Sequence, residues 1–61
     1  MRDPKRIEPM LASIKRIWDR SPDLRLTQLI MNVLQINHDP YYVEDETLKK
    51  ALEEYIEMME E

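Results

Sequence analysis

The sequence predicts an all-α fold, a small three-helix domain with helices at about 4–20, 24–36 and 46–60. Three observations carry that expectation. Apolar residues recur three, four and seven positions apart in three separate stretches, which places them along one side of a 3.6-residue helix. Glycine is absent, and with it the residue on which tight hairpin turns and phosphate-cradling loops depend. The four prolines stand close to the ends of the apolar stretches, where a helix is started or stopped.

The first helix opens at Asp3-Pro4, a capping side chain followed by proline at the first helical position. Ile7, Met10, Leu11, Ile14, Ile17 and Trp18 then form a single stripe. Pro9 interrupts it, because a proline inside a helix forfeits a backbone hydrogen bond and crowds the preceding turn. Either the helix kinks there, or a separate turn covers residues 4–8 and the main helix starts at Pro9.

Ser21-Pro22-Asp23 ends that helix and restarts the chain, with Ser21, Asp23 or Thr27 as the cap of the second. Leu26 to His38 contains no Asp, Glu, Lys or Arg, in a chain of which 36% is charged. On a helical wheel Leu26, Leu29, Ile30, Val33, Leu34 and Ile36 cover roughly 160° of arc, with Leu24 and Met31 outside it. An arc so wide predicts a central helix that touches more than one neighbour and keeps apolar surface for a partner.

Asn37 to Glu44 reads as a loop turned by Asp39-Pro40, with Tyr41-Tyr42-Val43 as a short extended piece. If extended, it points its two tyrosines in opposite directions, one toward the core and one toward solvent. Glu44 or Asp45 caps the third helix, whose apolar side is Leu48, Ala51, Leu52, Tyr55, Ile56 and Met59. Asp45 and Glu46 suit its positive N-terminal end, whereas Glu60 and Glu61 oppose the dipole at the other, where the last turn should fray. The expected core is Ile7, Leu11, Ile14, Trp18, Leu26, Leu29, Ile30, Val33, Leu52, Tyr55 and Ile56.

The 61 residues read as one domain, and a chain that short buries only about 60% of its unfolded surface. Small domains compensate with disulfides, a metal or a second subunit. No cysteine is present, and a single histidine makes a structural zinc site unfavourable, so association with another chain is the expected staple. No window is apolar for about 18 residues, and MRDPKRIEP lacks the apolar region of a secretion signal, so a cytoplasmic setting is expected.

Catalytic constellations are missing from the sequence. It contains no cysteine nucleophile, no HExxH, no phosphate loop, and no serine–histidine–aspartate arrangement with supporting glycines. His38 beside Asp39 reads as a turn residue, and Glu44-Asp45-Glu46 as helix capping rather than a calcium loop. The expectation is a non-enzyme with no catalytic residue, no cofactor and no metal.

Charge is divided along the chain. Met1 to Leu34 carries net +3 and Gln35 to Glu61 net −7, which reads first as two solvated helix faces of opposite sign and can also draw the two ends together or align two copies head to tail. Lys5, Arg6, Lys15, Arg16 and Arg20 raise nucleic-acid binding, but the helix that would read a groove is the acidic third one, which phosphate repels. Trp18 continues the first stripe and reads as a core anchor. The exposed one of Tyr41 and Tyr42 reads as interface material.

Arg6-Ile7, Trp18, Pro22-Asp23-Leu24-Arg25-Leu26, Gln28-Leu29-Ile30 and an acidic lead into Leu48 and Leu52 together form a pattern. It resembles small bacterial proteins of the YihD-like kind, and DPKRI with DPYYVED is similar to short bacterial and phage-type proteins across nearly the whole chain. This chain is shorter at its C-terminal part than the YihD-like pattern and differs in the loop. The resemblance implies a stand-alone helical protein and carries no activity with it.

The function expected from these readings is a protein-interaction module that forms a homodimer on the second helix. Met31, Leu34, Tyr41 and Tyr42 are its expected interface residues. A small acidic inhibitor or modulator of a host enzyme or nucleic-acid machine, docking through Glu53, Glu54, Glu57 and Glu60, is the alternative. Nucleic-acid binding is a third reading. Neither a membrane nor a small-molecule substrate is expected as partner.

Overall fold

The computed structural model describes residues 2–60, which form three α-helices and no strand. They are α1 (Ile7–Arg20), α2 (Leu26–Leu34) and α3 (Asp45–Glu60), with a 3₁₀ turn, Pro4–Arg6, running directly into α1. The class is therefore the predicted one. The helix boundaries agree closely at both ends of the chain and less well in the middle.

The Asp3 carboxylate accepts from the Lys5 amide at 2.9 Å, and Pro4 occupies the first position of the turn, as the sequence requires. The separate turn is shorter than expected, and α1 starts at Ile7 rather than Pro9. Pro9 thus falls in the first helical turn, where its missing N–H has no carbonyl to meet in any case.

None of Ser21, Asp23 and Thr27 caps α2. Residues 21–24 are spent as a turn in which the Leu24 amide donates to the Ser21 carbonyl at 3.1 Å. The Trp18 indole then donates to the Leu24 carbonyl at 2.9 Å, pinning the turn to α1. Arg25 is extended and holds the cap position of α2. A guanidinium can only donate, so it cannot accept from the first-turn amides. Gln28 reaches back instead, its Oε1 accepting from the Arg25 amide at 2.9 Å. That is one half of a capping box.

The far end of α2 is closed by the Gln35 amide donating to Asn32 and the Ile36 amide donating to Met31, both at 3.3 Å. This Schellman closure needs a left-handed residue, and with no glycine in the chain Gln35 takes it, at φ 57° and ψ 44°. The extended reading of the tyrosine segment is overturned. Val43 donates to the Pro40 carbonyl at 3.0 Å, and Asp39 Oδ1 accepts from the Tyr41 amide, so Tyr41 and Tyr42 are the central residues of a turn. Both therefore face solvent, at 78% and 87% exposed, and neither covers the core.

α3 begins where Glu44 accepts the Leu48 amide through its carbonyl, with Asp45 and Glu46 in the first turn. It runs through Glu60, beside which the Arg16 guanidinium of α1 supplies the cation that its own last turn lacks. Glu61 lies outside the described residues. Arg6 near the start of α1 meets Asp45 at the start of α3, and Arg16 meets Glu60 toward the end of both. α1 and α3 are therefore parallel, and residues 21–44 return the chain between them.

The centre of the molecule is α3, not α2: both α1 and α2 pack on it, while α1 and α2 meet only weakly. The buried residues are Ile17, Leu29, Val33, Leu52 and Ile56, of which Leu29 and Leu52 are fully buried. Ile14, Trp18, Ile30 and Tyr55 pack against them at partial burial. Ile7, Leu11 and Leu26, expected in the core, are instead 48%, 54% and 42% exposed. The reason is geometric. Met10, Ile14, Ile17 and Trp18 turn toward the core, and α2, at nine residues, is too short to cover Ile7 and Leu11 beyond them.

Candidate functional site

One side of the α1 stripe stays open. Ile7 and Leu11 are exposed, Ile14 and Trp18 pack on the core but keep an outer side, and Pro22 and Leu26 continue the strip across the turn. Leu11, Ile14, Trp18, Pro22 and Leu26 line an open cleft of about 410 Å³. Its polar rim is Lys15 and Asp19, an i, i+4 pair with Nζ to Oδ2 at 2.8 Å. The hydrogen bond to Asp19, reinforced by its negative charge, raises the Lys15 pKa above the ordinary 10.5. One charge of each sign makes the rim neutral, around a floor that is apolar.

A second cleft, about 440 Å³, lies where the start of α1 meets the start of α3. It is built of ion pairs. Arg2 contacts Glu44 at 3.1 Å, and Arg6 Nε donates to Asp45 at 2.7 Å while Arg6 also donates to the Asp3 carbonyl at 3.1 Å. The hydrogen bond from Arg6, with the nearby charges of Arg6 and Arg2, holds the Asp45 carboxyl below its ordinary 3.8. Carboxylates already engaged by guanidinium groups make poor general bases and poor cation ligands. Opposite charges from the two ends of the chain meet here and at Arg16–Glu60, in pairs that stay solvent-accessible.

The residues singled out from sequence are placed as follows. Met31 and Leu34 are half-buried, and Leu34 lines a smaller cleft of about 270 Å³ with Tyr55 and Met58 of α3. Tyr41 and Tyr42 stack edge to face, ring centroids 4.9 Å apart. The structure thus joins the two tyrosines to each other, and Leu34 to α3. Glu53, Glu54 and Glu57 are exposed on α3, while Glu60 is tied to Arg16. His38 is exposed, its Nδ1 3.3 Å from the Asp39 carbonyl oxygen. Among the described residues no three His, Asp or Glu side chains converge as metal ligands, and no helix is long and apolar enough to cross a membrane.

Sequence reasoning did not single out the Leu11–Leu26 surface, because a stripe of six apolar residues was read as one buried face. The signal was present in the spacing. Ile7, Leu11, Ile14 and Trp18 are separated by four, three and four residues, which is the heptad seam of a helix that packs against another helix. Met10 and Ile17 flank that seam on its core side, and Ile14 and Trp18 also pack against the core at partial burial.

No family model matches the chain, and neither a curated protein nor a solved structure matches it. The resemblance to YihD-like proteins rests on the residues quoted for it.

Proposed function

We propose that this chain is a non-enzymatic protein-interaction module that works as a homodimer in the cytoplasm. The observation that carries the reading is the amount of surface left over. A compact monomer of 7.4 kDa exposes roughly 4,200 Å², and this chain exposes 5246 Å². The excess, roughly 1,000 Å², is above the ~800 Å² that each partner gives to a standard interface. The radius of gyration points the same way, 11.5 Å against roughly 10.5 Å for a compact chain of this length.

Composition and site chemistry support the non-enzymatic part. In the cleft between the starts of α1 and α3, Glu44 and Asp45 are bound by arginine, the α1 cleft has an apolar floor, and the one histidine faces solvent beside a backbone carbonyl. The basic residues that raised nucleic-acid binding are largely engaged, Arg6, Lys15 and Arg16 each by an acidic neighbour. An acidic modulator docking through Glu53, Glu54 and Glu57 is the second reading, favoured by their exposure along α3.

The test is the mass in solution across a concentration series by light scattering. A dimer mass that gives way to the monomer only on dilution is the expected result. A monomer at high micromolar concentration overturns it. Salt separates the two readings, since an apolar dimer survives high salt and a carboxylate-driven complex with a basic partner does not.

A further inference from the structure

We propose that the outer side of α1 is covered by the same side of a second copy, with the two α1 helices antiparallel about a two-fold axis between Leu11 and Ile14. The proposal rests on the homodimer reading above and adds its surface and its geometry.

The spacing of Ile7, Leu11, Ile14 and Trp18 suits a helix of the same period as its partner, which would bury Ile7 and Leu11 and the outer sides of Ile14 and Trp18. A second copy supplies that period by identity, and the self-complementary patch of a two-fold dimer is the commonest way such a surface is closed. The seam is eleven residues from end to end, about 16 Å of helix. Leu26 and Pro22 widen it at the Trp18 end. Leu11, at 54% exposed, is the most open of the four and lies next to the proposed axis.

Charge selects the second copy over a charged peptide. The Lys15–Asp19 rim is neutral overall, so it offers no net attraction to an acidic or a basic segment. Charge also selects the orientation. Glu8 and Lys15 stand seven residues apart on the solvent flank of the seam, and Met10 and Ile17 occupy the inner flank toward the core. Running one helix backwards brings like flanks together and sets Glu8 against Lys15 of the partner subunit, twice. A parallel pair would set each against the inner flank, with no charge to meet. The antiparallel pairing also opposes the two helix dipoles. Lys15 carries three N–H donors and can hold Asp19 and the incoming Glu8 together.

The experiment is the solution mass of the full chain and of Leu11→Asp, with helicity followed by circular dichroism. Leu11 lies outside the buried core, so the variant keeps its helices and the expected result is a dimer weakened at least about a hundredfold. Tyr42→Ala, in the exposed turn, leaves the mass unchanged. If Leu11→Asp remains a dimer, the α1 seam is wrong and the homodimer reading stands on another surface. If the unaltered chain is a monomer, both fall. The chain has no cysteine, so orientation can be read by mixing Glu8→Cys with Lys15→Cys protein and adding a short thiol crosslinker. A mixed product is expected, and its absence from a solution of dimer mass overturns the antiparallel arrangement.

Discussion

α2 and α3 make opposite use of their residues. α2 has nine residues and no charge between Leu26 and Leu34, whereas α3 spreads six carboxylates and two lysines over sixteen residues. The polar-looking helix is nevertheless the one on which both others pack. Length is the deciding difference. At 1.5 Å per residue α3 is about 24 Å long and α2 about 13 Å. Leu48, Leu52, Ile56 and Met59 therefore form a strip long enough to serve α1 and α2 together. A short helix can be apolar all round and still find only one neighbour. What it cannot cover, such as the Leu11 edge of α1, stays at the surface.

The strongest way to break this comparison is to cut a methyl-rich side chain from each helix. Leu52 and Leu29 are both fully buried. Leu52→Ala is expected to lose toward the upper end of the 2–5 kcal/mol range for such truncations, since it sits on the helix that both others depend on. Leu29→Ala is expected toward the lower end, about 2–3 kcal/mol, because a short helix with one main neighbour can shift to fill the void. Urea denaturation followed at 222 nm, at one fixed protein concentration, measures both. Equal losses would remove α3 from its central position.

The ends of the two helices differ as much as their middles. α2 starts on an arginine that cannot cap and stops on a left-handed glutamine. Gln35→Gly is expected to stabilise the chain by about 1 kcal/mol, because the left-handed conformation costs a residue with a Cβ roughly that much. Arg25→Ser is expected to add about 0.5–1 kcal/mol by supplying the missing acceptor to the first-turn amides. Thermal melts of both variants, alone and combined, check the gains and their additivity. A loss at either site would mean that the end of α2 is held by something other than its cap.

Much of this was legible in the sequence, and the rest was not for two reasons. Asp3-Pro4, the three apolar stripes and the acidic first turn of α3 each state a local rule, and each is obeyed. Ile7, Leu11 and Leu26 stay outside the core because periodicity tells which side of a helix is apolar, not how many neighbours arrive to bury it. The cap of α2 was misjudged because Ser21 and Asp23 were already spent in a turn that the Trp18 indole closes over six residues. Tyr41 and Tyr42 are β-prone by type, yet the Asp39-Pro40 turn extends through them. At the candidate site the heptad spacing was readable, but its exposure was not, since that depends on where α3 packs. The exposure of Ile7, Leu11 and Leu26 is thus set by contacts between elements, whereas the turns at 21–24 and 40–43 are local hydrogen bonds that residue type alone does not declare.

The smallest expected effect separates the two helices by pH. Arg6 holds the Asp45 carboxyl below its ordinary 3.8, so the folded chain takes up this proton less readily than the unfolded one. The pair therefore contributes stability above pH 3.8, and the contribution is lost as pH falls through the lowered folded value. Asp45→Asn should melt below the unaltered chain at neutral pH, with the gap closing as the solution is acidified past that point. α2 has no titratable side chain from Leu26 to Leu34, so the gain from Gln35→Gly should be the same at pH 7 and pH 3. A gap at Asp45 that persists in acid would mean that shape rather than charge joins the start of α3 to Arg6. The charge division along the chain would then be a solubility device and not the clasp that sets α1 and α3 parallel.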